Sequence, residues 1–301
     1  MNFSLIRQSL GRLMQILALL LAFPLVVSLI YQEELINQVS FLIPIGVLVV
    51  LGSLFSMKKP TPKRLTPKDG LAIVSLVWII YSLIGALPFV LSQQIPSYID
   101  AVFETMSGFT TTGSSILSDV ERLSHSMLFW RSFTHLIGGM GVLVFALAIL
   151  PAGGGDLVHV MKAEVPGPTF GKLVSRLRHT ARILYLIYLV LTLVLIIVLS
   201  FGKMPLFDAI LHSFGAAGTG GFGIKNSSIG FYQDPYSEIV LGIGMIVFGV
   251  NFNLYYFILL KKTKEFFKSE ELRWYLGIMI VAMLLIYINI ATQFDLTQST
   301  A

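Results

Sequence analysis

Cysteine is absent from this 301-residue sequence, and charged residues make up only 12% of it. Without cysteine the chain has no disulfide framework, no thiolate metal site and no thiol nucleophile. A soluble domain is usually about 25% charged and about 45–50% apolar, whereas this chain is 55% apolar. Because lipid-facing surfaces must be apolar as well as the core, this composition predicts a protein embedded in a bilayer.

Catalytic groupings are also lacking. The five histidines are scattered, and no pair of them has the spacing of metal ligands on a helix. The glycines at 215–223 superficially resemble a nucleotide-binding loop, but no strand precedes them and Lys225 is followed by Asn226, which does not fit a phosphate-binding loop. No acid–base or nucleophile set is present, so we do not expect an enzyme, and we expect no cofactor bound by this chain.

Seven mostly apolar runs approach the length of about 20 residues that a transmembrane helix needs. They cover residues 13–30, 41–56, 71–91, 127–150, 183–201, 239–260 and 274–290. Pro24 and Pro44 interrupt the first two runs, which membrane helices tolerate. A cleaved signal peptide is the alternative for the first run, but no small-residue cleavage site follows it and further spans do.

The distribution of Lys and Arg predicts the orientation of these spans. If the spans alternate, 17 of the 21 Lys and Arg residues fall on one side, which is then the cytoplasmic side together with the N-terminus. Each basic cluster flanks a span, so topology explains the net charge of +5 better than a nucleic-acid partner does. We therefore expect a multi-pass protein of the cytoplasmic membrane, surrounded by lipid and without bound nucleic acid.

An internal repeat with an offset of 108 residues runs through the chain. Residues 100–103 (Asp-Ala-Val-Phe) resemble residues 208–211 (Asp-Ala-Ile-Leu), and in the same register Gly113 corresponds to Gly221. Each copy has a span, a short apolar segment, a Gly/Thr-rich stretch and another span. The short segments, 99–110 and 207–217, cannot cross a bilayer, so they are candidate re-entrant pore helices. Two ordinary amphipathic surface loops are the alternative.

Asp100 and Asp208 stand where N-caps of these pore helices are expected, because a carboxylate suits the positive end of a helix. The predicted fold is an all-α integral membrane protein built from helix–pore loop–helix units like those of K+ channels. It comprises a two-helix hairpin at 1–60, a first repeat at 71–150, a second repeat at 179–262 and the first helix of a third repeat at 270–301.

The Gly/Thr-rich stretches predict the site. A dehydrated cation needs oxygen ligands, which backbone carbonyls supply when an extended chain turns them inward. Glycine tolerates the unusual backbone angles that such a chain requires. The candidate cation-binding residues are Thr110, Thr111, Thr112 and Gly113 in the first copy and Gly218, Thr219, Gly220 and Gly221 in the second.

These residues resemble the Trk/Ktr/HKT superfamily of potassium transporters, and most of all its bacterial TrkH-type branch. The similarity lies in residues 103–113 (Phe-Glu-Thr-Met-Ser-Gly-Phe-Thr-Thr-Thr-Gly), 129–132 (Phe-Trp-Arg-Ser), 138–141 (Gly-Gly-Met-Gly), 218–222 (Gly-Thr-Gly-Gly-Phe) and 249–252 (Gly-Val-Asn-Phe). The resemblance implies K+ uptake across the bacterial inner membrane. It implies a homodimer of the complete protein and a cytoplasmic ring of nucleotide-binding regulatory subunits of the TrkA type. It makes Gly113 and Gly221 filter glycines, and since Ser at the first of these accompanies sodium transport in plant relatives, Gly113 favours potassium.

The resemblance also implies four repeats, of which residues 1–301 contain two and the beginning of a third. The sequence is therefore expected to be a truncated N-terminal part, and two filter stretches are not expected to conduct alone, since K+ filters surround the ion with four. Sodium or poorly selective cation transport is one alternative function. A non-conducting fragment or scaffold is another.

The topology is open to a direct test. The charge asymmetry places residues 60–69 in the cytoplasm and both pore loops outside. Reporter fusions after Lys63 and after Asn226 should therefore report opposite sides of the membrane. The same side for both fusions would contradict the repeat arrangement.

Overall fold

The computed structural model describes residues 2–57, 67–141 and 174–299. Within these ranges the regular structure is helical and no strand occurs, so the all-α prediction is confirmed. The chain divides into two compact units, Met1–Phe248 and Gly249–Ala301. Most of the predicted cytoplasmic segments, 60–69 and 153–182, and the second half of the fourth predicted span lie outside the described residues.

The described helices are numbered here in chain order. In the first unit they are α1 Phe3–Ile30, α2 Leu35–Ser56, α3 Pro67–Gly85, α4 Leu87–Leu91, α5 Tyr98–Phe109, α6 His125–Gly139, α7 Val174–Leu199, α8 Leu206–Ala217 and α9 Pro235–Phe248. Short 3-10 turns occupy Val120–Arg122 and Ser228–Tyr232. The second unit has α10 Phe252–Leu259, α11 Thr263–Lys268 and α12 Glu270–Ser299, with Val250, Leu254 and Leu272 buried as its core.

Five helical segments of the described chain are long and apolar enough to cross a membrane. They are Phe3–Ile30, Leu35–Ser56, Lys68–Leu91, Ala181–Leu199 and Glu270–Ala291. Each contains or overlaps a run that the sequence predicts as a span, so the chain is a multi-pass membrane protein.

The sixth predicted span, residues 239–260, is not one helix. Helix α9 ends at Phe248, and α10 begins at Phe252 after Asn251, whose side-chain oxygen accepts from the N–H of Asn253 at 3.0 Å. Asn is a strong N-cap because its side chain satisfies a free N–H of the new first turn. An apolar run shows its length but not this break, and the two helices taken together are still long and apolar enough for one broken span or a re-entrant loop.

The two short apolar segments form helices α5 and α8, each of 12 residues. The predicted N-caps are wrong by three positions. Ser97 and Pro205 are the capping residues, and Asp100 and Asp208 are the third residues of their helices. The N–H of Asp100 donates to the Ser97 hydroxyl. Both carboxylates still lie in the first turn, where they favour the positive helix end.

Buried aromatic side chains connect the helices of the first unit through backbone carbonyls. Tyr81 Oη donates to the carbonyl of Leu13 at 2.7 Å. Trp130 Nε1 donates to the carbonyl of Gly85 at 2.8 Å, and Tyr188 Oη donates to the carbonyl of Leu136 at 2.9 Å. All three aromatic side chains are fully buried. Because lipid gives helices no hydrophobic drive to associate, such bonds together with close packing hold a membrane bundle together.

The loop between α1 and α2 caps the start of α6. The Glu33 carboxylate accepts from both the N–H and the hydroxyl of Ser126, at 2.9 and 2.5 Å, and Tyr31 stacks on His125 with ring centres 4.0 Å apart. Ser126 is the second residue of α6, so the carboxylate satisfies a free N–H of the first turn. The N-terminal hairpin thus fixes the helix that lies behind both loops described below.

Replacement of Glu33 by Ala should lower the free energy of unfolding by about 1–2 kcal/mol, because α6 loses its capping acceptor and a favourable charge at its N-terminus. Chemical or thermal unfolding of the purified protein in detergent measures this. Glu34→Ala is the matched control, since Glu34 is exposed and makes no capping bond. If both variants lose the same free energy of unfolding, the charge of the loop matters and the capping bond of Glu33 does not.

Candidate functional site

The stretches that follow α5 and α8, residues 110–113 and 218–221, have the same backbone geometry. Thr111 and Thr219 both have positive φ, at 54° and 56°, and so do Gly113 and Gly221, at 77° and 74°. In each pair the second residue lies 108 positions after the first, as the repeat predicts. A left-handed Thr costs about 1–2 kcal/mol, so its occurrence at both equivalent positions indicates a constrained structure.

Backbone hydrogen bonds close each stretch against the C-terminus of its own helix in the same way. After α5, the N–H groups of Thr111 and Thr112 donate to the carbonyls of Gly108 and Ser107, at 3.0 and 2.9 Å. After α8, the N–H groups of Thr219 and Gly220 donate to the carbonyls of Ala216 and Gly215, at 2.9 and 3.2 Å. The two stretches are therefore closed by equivalent backbone hydrogen bonds.

The two stretches lie against each other. A Cβ atom added to Gly113 would overlap the carbonyl oxygen of Gly220, and one added to Gly220 would lie 2.8 Å from the carbonyl oxygen of Thr111. The Thr111 methyl group also comes within 3.1 Å of the Cβ position of Gly218. The structure therefore brings residues that are about 108 apart in sequence into direct backbone contact.

The residues of the two stretches differ in exposure. Thr110 and Thr112 are exposed, and their hydroxyl oxygens are 2.8 Å apart. Thr219 and Gly221 are also exposed, whereas Gly218 is buried. Among the described residues, no group of three or more His, Asp or Glu side chains could hold a metal ion. Oxygen ligands at this site would therefore be backbone carbonyls and Thr hydroxyls.

A family model described as TrkH, cation transport protein, matches residues 38–295 of the chain. The chain belongs to the TrkH family. The predicted resemblance is thereby confirmed.

Individual relatives agree with this assignment. The chain is 33% identical to the Trk system potassium uptake protein TrkH of Salmonella typhimurium over 292 residues, and 35% identical to TrkG of Escherichia coli over 265 residues. These alignments cover 95% and 86% of this chain. They cover 59% and 54% of the relatives, so the chain spans less than two thirds of the length of the curated relatives it matches.

The fold agrees as well. The crystal structure of the potassium transporter TrkH from Vibrio parahaemolyticus superposes with a TM-score of 0.81 at 28% identity, over 96% of this chain and 59% of that one. The prediction of an all-α integral membrane fold is confirmed by this match together with the apolar helices.

This TrkH-family chain contains a buried ion pair close to the two stretches. The guanidinium of Arg131, on α6, donates from Nε to the carboxylate of Glu104, on α5, and both side chains are almost completely buried. Arg131 Nη1 also donates to the carbonyl of Gly223 at 2.7 Å. Its guanidinium lies 3.6 Å from the ring centre of Phe222, a cation–π contact.

Sequence reasoning missed this pair. Glu104 and Arg131 are both present in the motifs that show the family resemblance, but no role follows from the motifs. A signal was available, because a charged residue inside a predicted membrane segment is rare and usually pairs within the bundle. His135, on the same helix as Arg131, is fully buried and stacks on Phe222, with ring centres 4.0 Å apart.

A second connection joins the loops beyond the two stretches. Asp119 accepts from the side-chain Nδ2 of Asn226 at 2.8 Å, and the side-chain Oδ1 of Asn226 accepts from the N–H of Val120 at 2.9 Å. The bond from Asn226, helped by Arg122, holds the pKa of Asp119 below its usual range. The nearby ion pair of Lys225 and Glu121, at 3.7 Å, is partly exposed and contributes at most about 1 kcal/mol.

The two glycines with positive φ should differ in their tolerance of a side chain. Gly113→Ala combines the backbone cost of about 1–2 kcal/mol with a clash against Gly220 O. Gly221→Ala has the backbone cost alone, because the nearest atom, Met245 Cε, is 3.7 Å from the added Cβ. Unfolding midpoints in detergent should therefore fall more for Gly113→Ala.

Gly242→Ala is the control for this comparison, since it lies within α9 and nothing is within 4 Å of its added Cβ. It should be neutral or slightly stabilising, because Ala favours helix over Gly. Equal losses for Gly113→Ala and Gly221→Ala would show that contact between the stretches does not restrict Gly113.

Proposed function

We propose that this chain supplies part of a potassium uptake pathway across the bacterial cytoplasmic membrane, and that residues 110–113 and 218–221 are two of its filter stretches. The observation on which this rests is the pair of matched, mutually touching backbone stretches at the C-terminal ends of α5 and α8. The names of the relatives, Trk system potassium uptake proteins, support K+ as the ion.

The C-terminal ends of the two short helices α5 and α8 favour a cation. Each stretch begins at the C-terminus of a short helix, which carries a partial negative charge of about half an elementary charge and so favours a cation. The positive φ at Thr111 and Gly113, and at their equivalents, breaks the helical run and leaves carbonyls free to replace the water shell of an ion. Neither stretch contains a charged residue, so recognition depends on dipoles.

The organisation that this function requires is also part of the proposal. Residues 71–150 and 179–262 are then two helix–pore loop–helix repeats, residues 1–60 a supporting hairpin, and residues 270–301 the start of a third repeat. The N-terminus lies in the cytoplasm. The complete transporter is a homodimer that works with a cytoplasmic nucleotide-binding ring.

The test is transport by the complete transporter to which this chain contributes, expressed in cells that lack their own K+ uptake systems. Growth at limiting K+ and rubidium uptake should be restored, and excess Na+ should compete only weakly. Gly113→Ser should make Na+ a better competitor by about tenfold, which corresponds to about 1.4 kcal/mol of lost discrimination.

Gly242→Ala provides the control for expression and insertion, as it should leave competition by Na+ unchanged. Equal competition by Na+ and K+ in the unmodified protein would favour the alternative of poorly selective cation transport. A protein that reaches the membrane in normal amount but restores no uptake would favour the scaffold alternative and contradict the proposal.

A further inference from the structure

The buried ion pair holds the segment that follows the first filter stretch. The Glu104 carboxylate accepts from the Ser115 hydroxyl at 2.9 Å and from the N–H of Ile116 at 3.0 Å. Glu104 is 1% exposed, and Arg131 supplies its counter-charge. The carboxylate thus fixes the chain two residues beyond Gly113.

The same pair holds the segment that follows the second stretch. Arg131 donates to the carbonyl of Gly223 at 2.7 Å and lies over the ring of Phe222. A planar guanidinium can bond a carboxylate, bond a carbonyl and stack on a ring at the same time, which a Lys ammonium cannot do. The guanidinium thus fixes the chain two residues beyond Gly221.

Ser115 and Gly223 are equivalent positions, since they differ by the repeat offset of 108. We propose that Glu104 and Arg131 are positioning residues that hold equivalent points just after the two filter stretches at one fixed separation. This inference rests on the proposed function, because it treats residues 110–113 and 218–221 as filter stretches. It adds that the geometry of the second stretch depends on a carboxylate in the pore helix of the first.

The buried pair of Glu104 and Arg131 occurs once in the described chain. The positions 108 residues after Glu104 and Arg131 are His212 and Ile239, so the second repeat has no such pair. His212 instead contacts the hydroxyl of Tyr232, at 3.3 Å, within its own repeat. The connection is therefore a specific link between the first and second repeats, and not a property of every pore loop.

Charge explains why both residues are needed. An unpaired guanidinium beside the pathway would repel cations, and an unpaired carboxylate would attract them without discrimination. Removing one partner of a buried pair also leaves an uncompensated charge, whereas removing both does not. Single and double variants therefore separate loss of positioning from loss of stability.

Cysteine labelling gives a readout that does not require transport, and the chain has no native cysteine to interfere. Ile224 follows Gly223 and is 3% exposed, so Ile224→Cys should resist a water-soluble thiol reagent. Added to this background, Glu104→Gln should raise the labelling rate by about tenfold or more, because Arg131 is freed and the second stretch opens locally. Arg131→Lys should have the same effect while keeping the charge.

The double variant Glu104→Gln/Arg131→Gln decides between positioning and simple stabilisation. Its unfolding midpoint should recover relative to either single variant, but labelling at Ile224→Cys should stay high and Na+ should compete with rubidium uptake about tenfold better. Labelling that returns to the protected level together with stability would overturn the proposal. So would a Glu104→Gln variant in which Ile224→Cys stays protected.

Two controls complete the experiment. Glu121→Gln breaks the partly exposed ion pair with Lys225, which joins loops of the same two repeats, and should leave labelling unchanged. Met204→Cys, 4% exposed and just before α8, should stay protected in every variant, which excludes general unfolding. If the unmodified protein shows no selective uptake, the proposed function fails, while the labelling result still decides whether the pair couples the two stretches.

Discussion

The structure depends on one constraint: a polypeptide that leaves helical geometry inside a membrane must satisfy its N–H and C=O groups within the protein. Both Gly/Thr stretches meet it in the same way. Their first N–H groups fold back onto the last carbonyls of the preceding helix, and Thr111 and Thr219 accept an unfavourable φ to do so. The repeated pattern is the physical basis for regarding the two stretches as one kind of site.

The scaffold around the stretches is built to keep them in place. Helix α6 contacts the residues that follow the second stretch: Arg131 donates to the carbonyl of Gly223, and His135 stacks on the ring of Phe222. Its own start is held by Glu33 from the N-terminal hairpin. Trp130 on the same helix bonds α3. Helix α6 therefore contacts the N-terminal hairpin, α3 and the segment that follows the second stretch.

The buried ion pair of Glu104 and Arg131 is unusual for a membrane protein. Membrane segments rarely contain ionisable groups unless they pair or take part in function. Glu104 and Arg131 satisfy each other and also bond backbone groups of two different repeats. The carboxylate of Glu104 balances the charge of the buried guanidinium of Arg131. The partly exposed connections farther out, such as Asp119 with Asn226, join the same loops with polar bonds that water weakens.

The sequence by itself determined the class of protein, most of the apolar spans, the offset of 108 and the family, because hydropathy and repeated motifs are local properties of the chain. It located the two stretches, although their role as a filter stays a prediction. Only the tertiary structure decided that Gly113 touches Gly220, that α9 ends at Phe248, and that Ser97 caps α5 where Asp100 was expected. It also decided that Glu104, Arg131 and Gly223 meet. These features depend on backbone angles and on contacts between residues up to 107 positions apart, which no local pattern encodes.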